Sequence, residues 1–126
     1  MIVTRTARGS RTVARTGERI DWRCLARRGM LHSECESIDH LRLAPGTEFA
    51  LTGRSGLESV WLVVDGAGEL FDGGPRPRPI TAGDAVLTPE ERRIRLRGGD
   101  DGLELLWIAV LPEPVSARLP GRKPRL

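Results

Sequence analysis

Val60-Trp61-Leu62-Val63-Val64-Asp65-Gly66-Ala67-Gly68-Glu69-Leu70 decides how the rest of this 126-residue chain is read. Its first five residues are β-branched, aromatic or aliphatic throughout, a composition that suits a pleated surface and predicts a strand over 60–64. Asp65-Gly66 then predicts a hairpin turn, because Gly takes positive φ at no steric cost. Glu69 to Phe71 is the expected return. Further on, Asp72 to Pro79 is a polar loop rich in Gly and Pro. Ile80 leads to a turn at Ala82-Gly83-Asp84, then a short strand from Ala85 to Thr88, stopped by Pro89. Arg93 to Arg97 alternates charge with Ile94 and Leu96. Gly98 to Gly102 predicts a tight turn, and Leu103 to Leu111 a long apolar strand closed by Pro112 and Pro114.

Toward the N-terminus, Ile38 to Ala44 predicts a strand ended by Pro45-Gly46, and Glu48 to Leu51 another. Met30 to Cys35 is a further short candidate. Ile20, Trp22 and Cys24 alternate with Asp21 and Arg23, the period of a half-buried strand. Order is expected to begin near Ile20. No helical period of ten residues or more occurs. Many short strands at regular spacing predict an all-β sandwich or barrel.

The formal net charge of +3 hides a division. Residues 1–30 hold eight arginines against Glu18 and Asp21, a balance of +6. Residues 114–126 hold Arg118, Arg122, Lys123 and Arg125 with no acid, +4, and the stretch between carries −7. The expected organisation is therefore a flexible basic arm over 1–19, one domain over 20–113, and a basic Pro-rich tail over 114–126. An acidic body with basic ends argues against nucleic acid as a partner. No apolar run is long enough to span a bilayer. Two cysteines, Cys24 and Cys35, match no ligand spacing and are expected to be reduced, mostly buried thiols of a cytoplasmic protein.

Three stretches together carry a resemblance. They are Pro45-Gly46, the run from Val60 to Leu70, and Ala82-Gly83-Asp84-Ala85-Val86-Leu87-Thr88-Pro89. They resemble the two signature stretches of small cupins, over residues 38 to 112. The resemblance implies a cupin-type jelly-roll β-barrel with a pocket at one mouth, and a homodimer, here expected through the segment from Ile20 to Cys35, whose exposed edge needs cover.

Cupins of this kind usually hold a metal with two His and one Glu from the first motif and one His from the second. Counting from Gly46 and Gly66 puts the first three positions at Thr52, Arg54 and Ser59. Glu58 lies one residue off and so on the other face of a strand. Counting from Gly83 and Pro89 puts the fourth at Ile94. Thr, Arg, Ser and Ile do not supply the imidazole, carboxylate or thiolate donors that transition metals need. No metal and no cofactor are therefore expected. His32, Cys35 and His40 are the remaining soft or imidazole donors, with Glu34, Glu36 and Asp39 close by. Leu41 and Leu43 claim the interior, which sends His40 and Arg42 to the surface.

If Ser59 faces in, so do Trp61 and Val63. If Ile94 faces in, Leu96 and Arg92 share its face. The expected binding residues are Thr52, Arg54, Ser59, Trp61, Val63, Arg92, Ile94 and Leu96. Arg54 and Ser59 would be the catalytic pair, Arg54 stabilising negative charge. Trp107 and Glu104 face opposite ways, and the sequence leaves open which is inside. This lining suits a small, partly apolar molecule bearing an anionic group or a carbonyl. The function implied is a metal-independent enzyme of the isomerase, cyclase, dehydratase or lyase kind, possible in a biosynthetic pathway. The alternatives are a non-catalytic ligand-binding or protein-interaction domain, and a metal cupin with displaced ligands.

Overall fold

The computed structural model describes residues 3, 10–13, 18–27, 30, 35–51, 57–89, 93–111 and 117–118, with the backbone alone at 10–13 and 51. Eight strands follow in order: β1 (Ser10–Val13), β2 (Arg19–Arg27), β3 (Cys35–Leu43), β4 (Glu48–Leu51), β5 (Glu58–Phe71), β6 (Arg78–Thr81), β7 (Ala85–Thr88) and β8 (Ile94–Val110). Among the described residues there is no helix, hence none long and apolar enough to cross a membrane. Pairing is antiparallel throughout, along the path β1-β2-β3-β8-β5-β6, with β4 added to β8 and β7 to β5. Strand pairing thus begins at Ser10, ahead of the start near Ile20 read from the alternation of β2.

Two expected turns are absent as turns. Asp65-Gly66 lies inside β5, and Gly98 to Gly102 lies inside β8. Each long strand is bent there instead of reversed. Residues 58–66 of β5 pair with 103–110 of β8, and residues 68–71 pair with 95–98. The register slips at Val63/Asp65 and at Gly66/Gly68. Such bulges turn a strand from one sheet into the next. Glycine is what lets the two bends cross: Gly66 and Gly102 have φ of 80° and 79°. A Cβ on Gly66 would run into the carbonyl oxygen of Gly102, and one on Gly68 into that of Arg97. A glycine that permits positive φ serves a hairpin and a bulge alike, so the sequence alone does not separate them.

The bends fold the strands into two facing layers, a jelly roll. One holds β2, β3, the second half of β8, the first half of β5, and β7. The other holds β4, the first half of β8, the second half of β5, and β6. The described sheet does not close on itself: β6 and β7 are outer strands, one in each layer. The interior is filled by Leu41, Leu43, Val63, Leu70, Ile80, Leu96, Leu103 and Leu105 around an aromatic group. In that group Trp61 stacks on Trp107 with ring centroids 4.7 Å apart and planes at 8°. Phe49, from the facing layer, meets Trp22 at 5.3 Å and Trp61 at 5.8 Å.

Candidate functional site

Strand alternation decides which side chains meet inside. Ser59, Trp61 and Val63 are buried on the inner face of β5, and Ile94 and Leu96 on that of β8, as their spacing predicts. Thr52, Arg54 and Arg92 lie outside the described residues, as do His32 and Glu34. Trp61 is 0% exposed, so its ring belongs to the core stack and not to a solvent-facing wall. Trp107 is the inward residue that the sequence left open; its indole N–H donates to Ser59 Oγ at 2.9 Å.

At the end of the interior marked by Ser59, the inner row is made of small side chains. Register places Ser37 beside Ala109, Ala109 beside Ser59, and Ser59 beside Thr88. The next row is Asp39, Trp107, Trp61 and Val86. Small hydroxyl-bearing residues thus stand over a floor of stacked indoles. Two polar atoms in this region, Trp61 Nε1 and Thr88 Oγ1, are buried without a hydrogen-bond partner. Buried polar atoms are normally paired, which sets these two apart.

Asp39 is the residue that the sequence reading missed, although the signal was present. It shares its parity with Leu41 and Leu43, and the argument that puts them inside puts Asp39 inside too. It is 7% exposed. Burial pushes its carboxyl above the usual range, while hydrogen bonds from the Cys24 thiol and Trp22 hold it back. Among the described residues no cation acts on it. A buried carboxyl with neutral donors only is suited to taking and giving a proton.

The cysteines depart from expectation. Cys24 is exposed and Cys35 half-buried. Cys24 lies beside the bulge of β2, where the strand leaves its regular register. Its thiol also reaches the Ala26 carbonyl at 3.3 Å. Partial burial and the neighbouring Asp39 raise its pKa, against Arg27 and a backbone hydrogen bond at Ala26.

His40 also departs from expectation. It is on the outer face with Arg42, as predicted, yet it is buried there. The reason is a partner: Nε2 lies 2.7 Å from Oε1 of Glu104, which Arg42 approaches at 3.4 Å. Burial alone would raise the Glu104 carboxyl; the bond to His40 and the Arg42 charge outweigh it and leave the pKa lowered. Glu104 thus faces outward, engaged by residues of β3. Asp39 and His40, adjacent in sequence, point to opposite faces.

The residue types at the four positions implied by the resemblance, Thr52, Arg54, Ser59 and Ile94, do not fit a transition metal. Of the four positions implied by the resemblance, Ser59 accepts an indole N–H and Ile94 has no donor atom. Among the described residues no group of three or more His, Cys, Asp or Glu side chains is placed to hold one.

No family model and no curated protein sequence matches this chain. Solved structures do. A predicted oxalate decarboxylase from Thermotoga maritima superposes with a TM-score of 0.73 at 21% identity, covering 89% of this chain and 100% of that one. An RmlC-like cupin protein from Desulfovibrio desulfuricans gives 0.60 at 17%, covering 72% and 81%. The Cupin_2 domain of an XRE family transcriptional regulator from Enterobacter cloacae gives 0.63 at 13%, covering 75% and 98%. At these identities the likeness establishes the fold, which is that of the cupins, the double-stranded β-helix.

Proposed function

We propose that this chain is a metal-independent enzyme that binds a small, partly apolar organic molecule bearing a carbonyl or anionic group inside the cupin fold. The step it promotes is an isomerisation, cyclisation, dehydration or elimination. The observation that carries this reading is Asp39, a buried carboxyl on the inner face, with no cation among the described residues acting on it. Asp39 on β3 and Ser59 on β5 are separated by β8, on the order of 10 Å by ordinary strand spacing. A ligand that meets both has a skeleton of about six to eight carbons. One end is polarised by the hydroxyls of the small-residue row while a proton moves at the other. Thr52, Arg54 and Arg92 are assigned to the mouth, Arg54 holding the developing negative charge. A homodimer through the segment from Ile20 to Cys35 belongs to this reading; light scattering at micromolar concentration is expected to give the mass of two chains, and a monomer refutes it.

The test uses chelator-treated protein, analysed to be metal-free, with a panel of six- to eight-carbon ketones, enones and keto acids in D2O. Deuterium incorporation or conversion of at least one compound, followed by NMR, is expected. Activity that appears only on adding a transition metal overturns the proposal. So does the absence of both exchange and binding across the panel. Binding without exchange selects the non-catalytic alternative, which the close-packed Trp61–Trp107 stack favours.

Arg54→Met keeps most of the side-chain stem and removes the charge. Its melting temperature is expected to change little, while affinity or turnover for an anionic member of the panel falls at least about tenfold, ~1.4 kcal/mol. A loss of several kcal/mol in stability would instead make Arg54 a structural partner.

A further inference from the structure

We infer that the Thr88 hydroxyl, with the Trp61 indole N–H behind it, receives the oxygen of a neutral aliphatic carbonyl compound that enters sideways, between β6 and β7. The inference rests on the reading of the interior as a small-molecule site and narrows its ligand.

The open side of the fold holds a cleft of about 520 Å³, a volume ordinary for a small-molecule site. Its floor is aliphatic: Leu70, Ile80, Val86 and Ile94, all turned toward the interior. Thr88 stands in its wall, 6% exposed, with Oγ1 unpartnered. Trp61 is paired with Val86, next to Thr88 on the inner face of β7, and its Nε1 is also unpartnered. An indole N–H only donates, and a hydroxyl donates or accepts. An acceptor oxygen in the cleft satisfies the Thr88 hydroxyl, and a carbonyl is the simplest; its second lone pair is the one this inference gives to the Trp61 N–H.

The rim sets the charge of the ligand. Among the described residues Asp72, Asp84 and Arg78 line it, two negative charges against one positive. Arg78 is already engaged with Asp72 at 3.1 Å, and Asp84 accepts the Thr81 backbone N–H at 2.8 Å. A free carboxylate entering here meets net repulsion, whereas a ketone or aldehyde does not. The aliphatic floor then takes the chain of the same molecule.

The probe is 2-octanone, with octanoate as its charged counterpart, titrated against the intrinsic fluorescence of the three tryptophans. The native protein is expected to bind 2-octanone at least tenfold more tightly than octanoate. Thr88→Val, which keeps the shape and removes the hydroxyl, is expected to weaken 2-octanone binding at least tenfold with no loss of melting temperature. Trp61→Phe, which keeps an aromatic ring and removes the N–H, is expected to weaken it as well. Equal affinity in Thr88→Val overturns the inference, as does tighter binding of octanoate. A melting temperature lowered by Thr88→Val also overturns it, since the hydroxyl then has a structural partner. If 2-octanone fails to bind but an organic anion binds and Arg54→Met weakens it, this inference falls and the proposed function stands. If no compound binds, both fall.

Discussion

Trp107→Ala is expected to destabilise the fold by about 3–5 kcal/mol, the range for deleting a buried aromatic side chain. The ring is the hub of the interior. It stacks on Trp61 at 4.7 Å, meets Trp22 at 5.8 Å and Phe49 at 6.1 Å, and so joins the two layers. Its N–H is also the partner of the buried Ser59 hydroxyl. Removing the ring leaves that hydroxyl unpaired in addition to opening a void, and an unpaired buried group costs about 1–3 kcal/mol by itself. A domain of ordinary stability holds about 5–15 kcal/mol in all, so the variant sits near the edge of folding. Trp107→Phe keeps a ring in the stack and loses the hydrogen bond, and its cost is expected to be about half as large. Urea denaturation of the three proteins gives the comparison. A change below about 1 kcal/mol in Trp107→Ala would mean that the aromatic group is loosely packed and the interior already open.

Strand content and the direction of most side chains were legible because period two is a local property. Ser59, Trp61, Val63, Ile94 and Leu96 fall inside as their spacing required. The two corners were not legible. Asp65-Gly66 and Gly98–Gly102 carry the residues of tight turns, and only long-range pairing tells a bend between sheets from a reversal. His40 was placed on the proper face but left exposed, because its cover comes from Glu104, 64 positions away in sequence. Thr88 gave no sign of itself: its meaning arises from standing opposite Ser59 and over the aliphatic cleft. Asp39 was readable from its parity with Leu41 and Leu43, against the ordinary rule that an acidic residue in a half-buried strand faces solvent. The motif spacing did locate Ser59 and Ile94 at one end of the interior, and that is where the small-residue row lies.

A metal-independent reaction, as proposed, changes what the fold has to work with. A metal polarises an oxygen and lowers the pKa of bound water in one stroke. In the proposed function those tasks fall to separate groups on separate strands: neutral donors on β5 and β7, and a proton carrier on β3. Neutral donors are weaker, but in a dry interior they need no counter-charge and cost no reorganisation during the reaction. On the proposed reading the orphaned atoms of Trp61 and Thr88 are the structural expense of that arrangement, each buried without compensation until the ligand binds.

Asp39→Asn is expected to lower turnover by about 10²–10⁴-fold, the usual contribution of a positioned acid or base, while making the protein more stable at neutral pH. The sign follows from linkage. Burial raises the carboxyl pKa in the folded chain above its ordinary value of 3.8. Below that value the carboxyl is protonated in both states and contributes no difference. As pH rises, the unfolded chain ionises first, so the folded state loses relative stability until its own, higher pKa is passed. An asparagine never ionises, and its side-chain oxygen still accepts hydrogen bonds from Trp22 and Cys24. The variant should therefore melt with the native protein at pH 3 and above it at pH 8, by an amount of about 1 kcal/mol, typical of relieving a strained functional site. Activity of the native protein should rise with pH through the raised pKa if Asp39 acts as a base, and fall through it if Asp39 acts as an acid. Thermal melts at the two pH values, together with the deuterium-exchange assay, separate the roles. A variant less stable at pH 8 would show that the carboxylate is held in place by favourable charge, and Asp39 would then be a structural residue. A variant as active as the native protein would remove the proton carrier, and with it the reason to read this fold as an enzyme.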